Sequence, residues 1–449
     1  MIKSAGIPLS FNLRRDMRRG TTDLLIIVSL LLGGTARTTL AQDQQAPASS
    51  TLRALAAAVD ARGAEALAEF WRDVERVGSP LVESTSEQDS VLLSFVYRDR
   101  PGVRSVRLSS GLNSLLIEGI EPDFRTAGGM RRLSGTDVWY LSIVVARVVR
   151  ASYRFEVADT TSDGTATEVL DPLNPRVYRP DREALRASLL EMPGAPAQPW
   201  HVRGNELGTW RQRKVVDMHG RENAVFVYLP ASFDAQRTEP YPVLVGLDSY
   251  TFGVGMPGAL IMDHLITTNA IAPTVMLATN LPAGSGLDQM QVTAEYVADR
   301  LLPALRTELN LTSDPRRVVI SGTSLRGLIA TYTAFERPEV VGNVLSLSGS
   351  FYWKPDGQSA YEWLTHRFAT EGMKPVRLFV AVGTLETVVT RTNRGHYMLA
   401  TNRHLRDVLL ARGYQLDYWE FAGAHTDLSW QDGLARGMVS LIGDGSPRR

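Results

Sequence analysis

The chain contains no cysteine. That absence excludes disulfides, thiolate zinc sites, iron–sulfur clusters and a lipidated N-terminal cysteine, and leaves the redox compartment open. An excess of either charge is also missing: 48 Lys and Arg balance 48 Asp and Glu among 449 residues. A nucleic-acid binder normally carries a basic surplus or stripe, so nucleic acid is not an expected partner. Aromatic residues make up 8% and are spread along the chain. There is no H-E-x-x-H and no histidine pair at ligand spacing, so no metal site is expected. No G-x-G-x-x-G directly follows a strand-like run, which argues against a dinucleotide enzyme, and no cofactor is expected. The longest apolar run falls far short of the roughly 20 residues that cross a bilayer.

What is present describes a globular protein. Hydrophobic residues are 44% and charged residues 21%, a balance that excludes a disordered chain, and the length suggests two or three domains. Residues 1–41 read as an export signal. Arg14, Arg15, Arg18 and Arg19 precede the apolar run 24–32, and Thr39-Leu40-Ala41 offers a small-x-small cleavage site. The mature protein is then expected in the periplasm or secreted, with no stable membrane anchor; it would be cytoplasmic if the segment is not a signal. Residues 42–64 are a polar leader and the start of the first helix.

Two grammars follow. Apolar spacings of three and four over 51–76 predict a helix, from Leu52 and Leu55 to Phe70 and Trp71. Residues 90–97, 103–108, 114–118, 138–145 and 151–157 then read as short strands without intervening helices, which predicts a small β-sandwich. Proline-dense stretches at 171–175 and 192–199 read as a linker. The sandwich domain with this linker is placed at 65–195. Over 205–445 strands at 224–229, 243–247, 274–278, 318–321, 344–347, 378–382 and 416–421 alternate with helices, including 294–309, 325–335, 400–412 and 430–442. Continuous apolar strands of this kind predict a mainly parallel sheet buried on both faces. The fold class is thus α/β: a three-layer α/β-hydrolase domain preceded by a small β-sandwich.

The strand at 318–321 runs into Gly322-Thr323-Ser324-Leu325-Arg326-Gly327 and a helix. A serine on such a sharp strand-to-helix turn is the nucleophile of an α/β-hydrolase, and G-x-S-x-G is its pattern. Arg326 stands where the trailing glycine belongs, with Gly327 one place late. A long side chain there must point away from the sheet or displace the helix. The alternative for Ser324 is a plain helix cap. The base should follow later in the chain, and His425, just past the last strand, is the one of seven histidines that suits it. Glu386, at the end of the preceding strand, is the expected acid, with Asp427 in reserve. The oxyanion needs two backbone N–H groups. Leu325, directly after the serine, should supply one, and Ser249 or Tyr250 the other.

Beyond these patterns the chain resembles the enterochelin (ferric enterobactin) esterases over roughly residues 65–445. The resembling residues include Phe70-Trp71, Gly78-Ser79-Pro80, Phe95-Val96-Tyr97-Arg98, Leu133 to Trp139 and Asp171-Pro172-Leu173-Asn174-Pro175. Met192-Pro193-Gly194-Ala195-Pro196, Val245-Gly246-Leu247-Asp248 and Ser346 to Trp353 complete the set. The resemblance implies a sandwich-like domain over an esterase-D-type catalytic domain that hydrolyses the trilactone of catecholate siderophores for iron release. Ser324 matches the nucleophile, His425 the base and Glu386 the acid. The family reads G-x-S-x-G-G at the elbow and usually Asp-Gly where this chain has Asp248-Ser249. The expected substrate is a small-molecule ester such as a ferric siderophore, and Arg326 could bind its catecholate or carboxylate if it faces the cleft. A broad-specificity carboxylesterase, or an impaired hydrolase-fold binding protein, is the alternative.

Overall fold

The computed structural model describes residues 46–117, 127–160, 165–178, 186–201, 206–282, 286–388 and 397–443. The export signal expected at 1–41 lies outside them. The described residues from Ala48 onward form one compact unit, and among the described residues no helix is long and apolar enough to cross a membrane.

Helix α1 (Ser50–Arg62) starts where the Ser49 hydroxyl accepts the Leu52 N–H, and α2 (Ala64–Val77) follows. The single helix predicted over 51–76 is therefore two. The break is Gly63, whose φ of 58° is readily adopted only without a Cβ.

Among the described residues nine strands come next: β1 (Leu81–Ser84), β2 (Ser90–Arg98), β3 (Val103–Ser110), β4 (Arg131–Arg132), β5 (Val138–Ala146), β6 (Arg150–Asp159), β7 (Thr167–Val169), β8 (Val177–Tyr178) and β9 (Ala187–Glu191). They form two sheets, ordered β1-β2-β5-β4 and β3-β6-β9-β8, with β7 beside β6. Alternate residues point to opposite faces. Leu93 and Phe95 of β2 and Ile143 of β5 thus pack against Val106, Leu108, Tyr153 and Phe155 of the second sheet. Val96, Val138 and Tyr140, on the other face of the first sheet, bury against Leu55, Phe70, Trp71 and Val74 of the two helices. The result is the expected sandwich with a helical cover. The strand expected at 114–118 is not formed. Gly111–Leu116 coils into a short 3-10 helix, because the Ser110 hydroxyl accepts the Leu112 N–H and starts a turn. Strand β9, set between the proline-rich stretches, was hidden by them.

The second sheet system has eight strands: β10 (Thr209–Val216), β11 (Glu222–Leu229), β12 (Val243–Leu247), β13 (Val275–Thr279), β14 (Val318–Thr323), β15 (Asn343–Leu347), β16 (Arg377–Gly383) and β17 (Gln415–Phe421). Their order is β10-β11-β13-β12-β14-β15-β16-β17, and β12 to β17 run parallel. Helices α3 (Gly258–Thr267), α4 (Gly286–Glu295), α5 (Leu302–Arg306), α6 (Leu325–Glu336), α7 (Trp363–Thr370), α8 (Met398–Ala411) and α9 (Asp427–Ile442) complete three layers. The helix expected over 294–309 begins earlier, at Gly286, and passes through a wide turn at Tyr296–Leu301 into α5. Val245, Ile320 and Val380 bury against α6 and α8 on one face of the sheet. Leu244, Val319, Leu345 and Phe379 bury against α3 and α9 on the other.

Two features of this architecture place the site. Strand β12 lies between β13 and β14, so the chain leaves it in one direction and later returns on its far side. Ligands of open parallel sheets bind at the carboxyl ends of strands flanking such a reversal. Helix α9 also sits unusually close to the sheet: a Cβ on Gly433 would meet Leu347 Cδ2 at 2.5 Å, and one on Gly437 would meet Leu345 at 2.7 Å. On the side of the sandwich, α9 is held by a buried polar cluster. Arg150 of β6 donates to Asp432 at 3.0 Å and to Glu191 at 2.7 Å, Gln198 donates to Asp432 at 2.9 Å, and the Trp200 indole donates to Gln431 at 2.8 Å.

Candidate active site

Ser324 ends the run of β14 and directly precedes α6, in the backbone conformation φ 55°, ψ −126°. A residue with a Cβ pays strain there, and such outliers persist where the surroundings over-determine them. The surroundings are visible. A Cβ on Gly322 would meet the Arg326 carbonyl oxygen at 2.3 Å, and one on Gly327 would meet Ser346 Oγ at 2.8 Å. The two glycines let the turn close and let α6 lie against β15. Arg326 needs no glycine at its own position because Gly322 opposite it has no side chain. The helix start is not displaced. The arginine instead points across the sheet reversal, its Nε 3.3 Å from Asp248 Oδ2 at the end of β12, and remains 42% exposed.

His425 and Glu386 are brought together. His425 lies in the turn after β17 and Glu386 in the turn after β16, with Nδ1 of the imidazole 2.7 Å from Glu386 Oε2. A carboxylate only accepts, so the Nδ1–H donates to Glu386 and Nε2 is the ring nitrogen not engaged by the acid. Glu386 is buried, and its other oxygen accepts from the Gly383 N–H at 2.8 Å and from the Ser348 hydroxyl at 2.5 Å. The Trp430 ring stands edge-on to His425 with centroids 4.8 Å apart. Asp427, the reserve acid, opens α9 and lies against Gly255 instead. Among the described residues no hydrogen bond joins Ser324 to His425; the serine hydroxyl lies 3.5 Å from Ser350 Oγ. Hydrogen bonds of this kind are often long until substrate arrives.

The expected oxyanion donors separate. Among the described residues no backbone carbonyl accepts the Leu325 N–H. The Tyr250 N–H is held by Asp248 Oδ1 at 2.9 Å, as part of a turn in which the same carboxylate also takes the Thr251 hydroxyl. Among the described residues the Ser249 N–H makes only a long 3.3 Å contact with Asn280 Oδ1, whose main partner is the Ser249 hydroxyl at 2.9 Å. Asn280, Ser348, Ser350 and Trp430 were not expected at the site from sequence. A signal existed for three of them: each of Asn280, Ser348 and Ser350 closely follows a parallel strand on the side where the site had to be.

Strand order, elbow and strand-end placement define the class, an α/β-hydrolase preceded by a β-sandwich. Two family models match the chain: "Putative esterase" over residues 217–441 and "Enterochelin esterase, N-terminal" over residues 92–201. The chain belongs to the esterase family of the first model, carries a match to the enterochelin esterase N-terminal domain ahead of it, and is a hydrolase acting on ester bonds. The iron(III) enterobactin esterase of Dickeya dadantii (strain 3937) is 26% identical over 426 residues, 84% of this chain and 94% of that protein. The iron(III) salmochelin esterase of Escherichia coli O6:H1 is 25% identical, with the same two coverages of 84% and 94%. Among solved structures, the ferric enterobactin esterase of Salmonella typhimurium superimposes with a TM-score of 0.64 at 23% identity, covering 83% of this chain and 98% of that one. The Shigella flexneri enterobactin esterase, crystallised in the presence of enterobactin, gives a TM-score of 0.62 at 21% identity over 82% and 98%. These structures share the fold.

Proposed function

We propose that the protein is a serine esterase that opens the ester bonds of a catecholate siderophore such as ferric enterobactin. Ser324 attacks the ester carbonyl, His425 Nε2 takes the hydroxyl proton, and Glu386 holds the imidazole in the required tautomer and steadies the imidazolium. The alkoxide leaving group then receives that proton, and water, activated by the same base, releases the acyl group from Ser324. The Leu325 N–H receives the developing oxyanion, with the Ser249 N–H as the second donor once it turns from Asn280. The observation that carries the reading is the strained Ser324 backbone at the strand–helix junction, together with a buried acid and its histidine at the ends of later strands of the same sheet.

The substrate class is supported by the names of the relatives that align with nearly their whole length. Arg326, part-exposed beside Asp248, is assigned to the substrate's anionic catecholates. The division of labour follows the sequence reading: residues 205–445 carry the chemistry and residues 65–195 cover it. The arginine-led apolar segment within residues 1–41 supports export to the periplasm or beyond.

Hydrolysis of ferric and iron-free enterobactin by the purified protein, beside Ser324→Ala and a short aryl ester, tests this. Trilactone cleavage by the wild type but not by Ser324→Ala is expected. Turnover of the aryl ester alone would remove the siderophore, and turnover that survives Ser324→Ala would remove the mechanism.

A further inference from the structure

Ser348 and Trp430 lie outside any assigned role, yet their side chains meet at the carboxylate of Glu386. Ser348 follows β15 with φ 51°, fully buried, its N–H bonded to the Ala381 carbonyl. Its hydroxyl lies 2.9 Å from Trp430 Nε1 and 2.5 Å from Glu386 Oε1. An indole N–H can only donate and an ionised carboxylate can only accept. The direction is therefore set: Trp430 donates to Ser348, and Ser348 donates to Glu386. Each bond in such a chain polarises the next. With the Gly383 N–H as a second donor, Oε1 is occupied, which leaves Oε2 to face His425.

Trp430 acts at both ends of that chain, because the ring whose N–H points to Ser348 also packs at right angles to the His425 imidazole, with 84° between the planes. The close seat of α9 on β15, which Gly433 allows against Leu347, brings the indole within reach. A merely structural tryptophan could use any acceptor. Here the acceptor passes its own proton to the group that holds the histidine.

We infer that Ser348 and Trp430 are positioning residues for ester hydrolysis, fixing the Glu386 carboxylate so that His425 presents Nε2 to Ser324. The inference rests on the serine esterase reading for its kinetic consequence, and on geometry alone for the state of the His425–Glu386 bond.

The test compares Trp430→Phe, which keeps the ring beside His425 and removes the N–H, with Ser348→Gly, which removes the hydroxyl at a backbone angle that glycine accepts. On a short aryl ester, kcat is expected to fall roughly 10-fold in the first and roughly 100-fold in the second, with KM within about twofold, as for loss of a hydrogen bond to a charged group. The far-downfield proton resonance of the His425 Nδ1–H, assigned by its loss in His425→Ala, is expected to shift or broaden in both. Folded variants with wild-type kcat and an unmoved resonance would overturn the inference. If the wild type turns over no ester through Ser324, the esterase reading fails, and the resonance still decides whether Ser348 and Trp430 hold the pair.

Discussion

The Nε of Arg326 lies 3.3 Å from Asp248 Oδ2, so the side chain that replaces the trailing elbow glycine spans from the end of β14 to the end of β12. The pair crosses the sheet reversal at which a ligand crevice is expected. At 42% exposure such an ion pair adds little stability, about 0–1 kcal/mol. Its consequence lies in binding. Arg326→Ala is expected to leave the thermal midpoint within a few degrees and to raise KM for an anionic ferric trilactone about 10-fold, an effect of ~1.4 kcal/mol. KM for a neutral aryl ester should stay constant. Parallel kinetics on the two substrates check this.

Gly322 is the elbow glycine that cannot change. Its added Cβ would stand 2.3 Å from the Arg326 carbonyl oxygen. Gly322→Ala is expected to destabilise the fold by about 1–3 kcal/mol, the usual range for overpacking, and to abolish measurable turnover because the first turn of α6 moves with Leu325. Denaturant unfolding and a kinetic assay on the same preparation separate the two effects.

Glu386→Gln keeps the size of the acid and removes its charge. With an amide in place of the carboxylate, the imidazole tautomer is no longer fixed, and kcat is expected to fall roughly 10³- to 10⁴-fold with little change in KM. Steady-state kinetics on the aryl ester measure it.

The sandwich reaches the site through Gly111, where a Cβ would lie 2.4 Å from Ala424 Cβ, one residue before His425. Gly111→Val is therefore expected to push the His425 turn and lower kcat by about 10-fold or more, although it changes nothing in the hydrolase sheet. A wild-type kcat in that variant would show that the sandwich does not press on the catalytic turn.

Burial pushes the Asp432 carboxyl up to about 6, against the opposing pull of Arg150 and the hydrogen bond from Gln198. In the unfolded chain an aspartate releases its proton near 3.9. Between about pH 4 and pH 6 the folded protein thus holds more protons than the unfolded one. Stability from this group is greatest below pH 4 and declines as pH rises to about 6, by at most about 3 kcal/mol. Unfolding free energies of wild type and Asp432→Asn across that range should converge or diverge by this amount and run parallel above it.

How much of this was legible depended on which contacts are local. The parallel strands were readable because they are short, continuous apolar runs, and Ser324, Glu386 and His425 could be proposed because each stands just after such a run. Asp427 could not be set aside from sequence, since only the fold shows it turned toward Gly255. Ser249 and Tyr250 could not be separated, because their difference lies in a side-chain turn made by Asp248. Ser348 and Trp430 were out of reach: their meeting depends on how closely α9 packs on β15, a distance set by Gly433 and Gly437 against leucines far away in sequence. In the sandwich, a single glycine split the first helix and a serine hydroxyl converted an expected strand into a helical turn, both local choices that apolar periodicity does not report.

The proposed mechanism turns on Ser324 as the nucleophile. An aryl fluorophosphonate incubated with the purified protein, followed by mass spectrometry of its peptides, tests it most directly. One covalent phosphonyl group is expected on the peptide containing Ser324, absent in Ser324→Ala and strongly slowed in His425→Ala. A protein that hydrolyses esters yet carries no adduct at Ser324, or carries it on another residue, would contradict it.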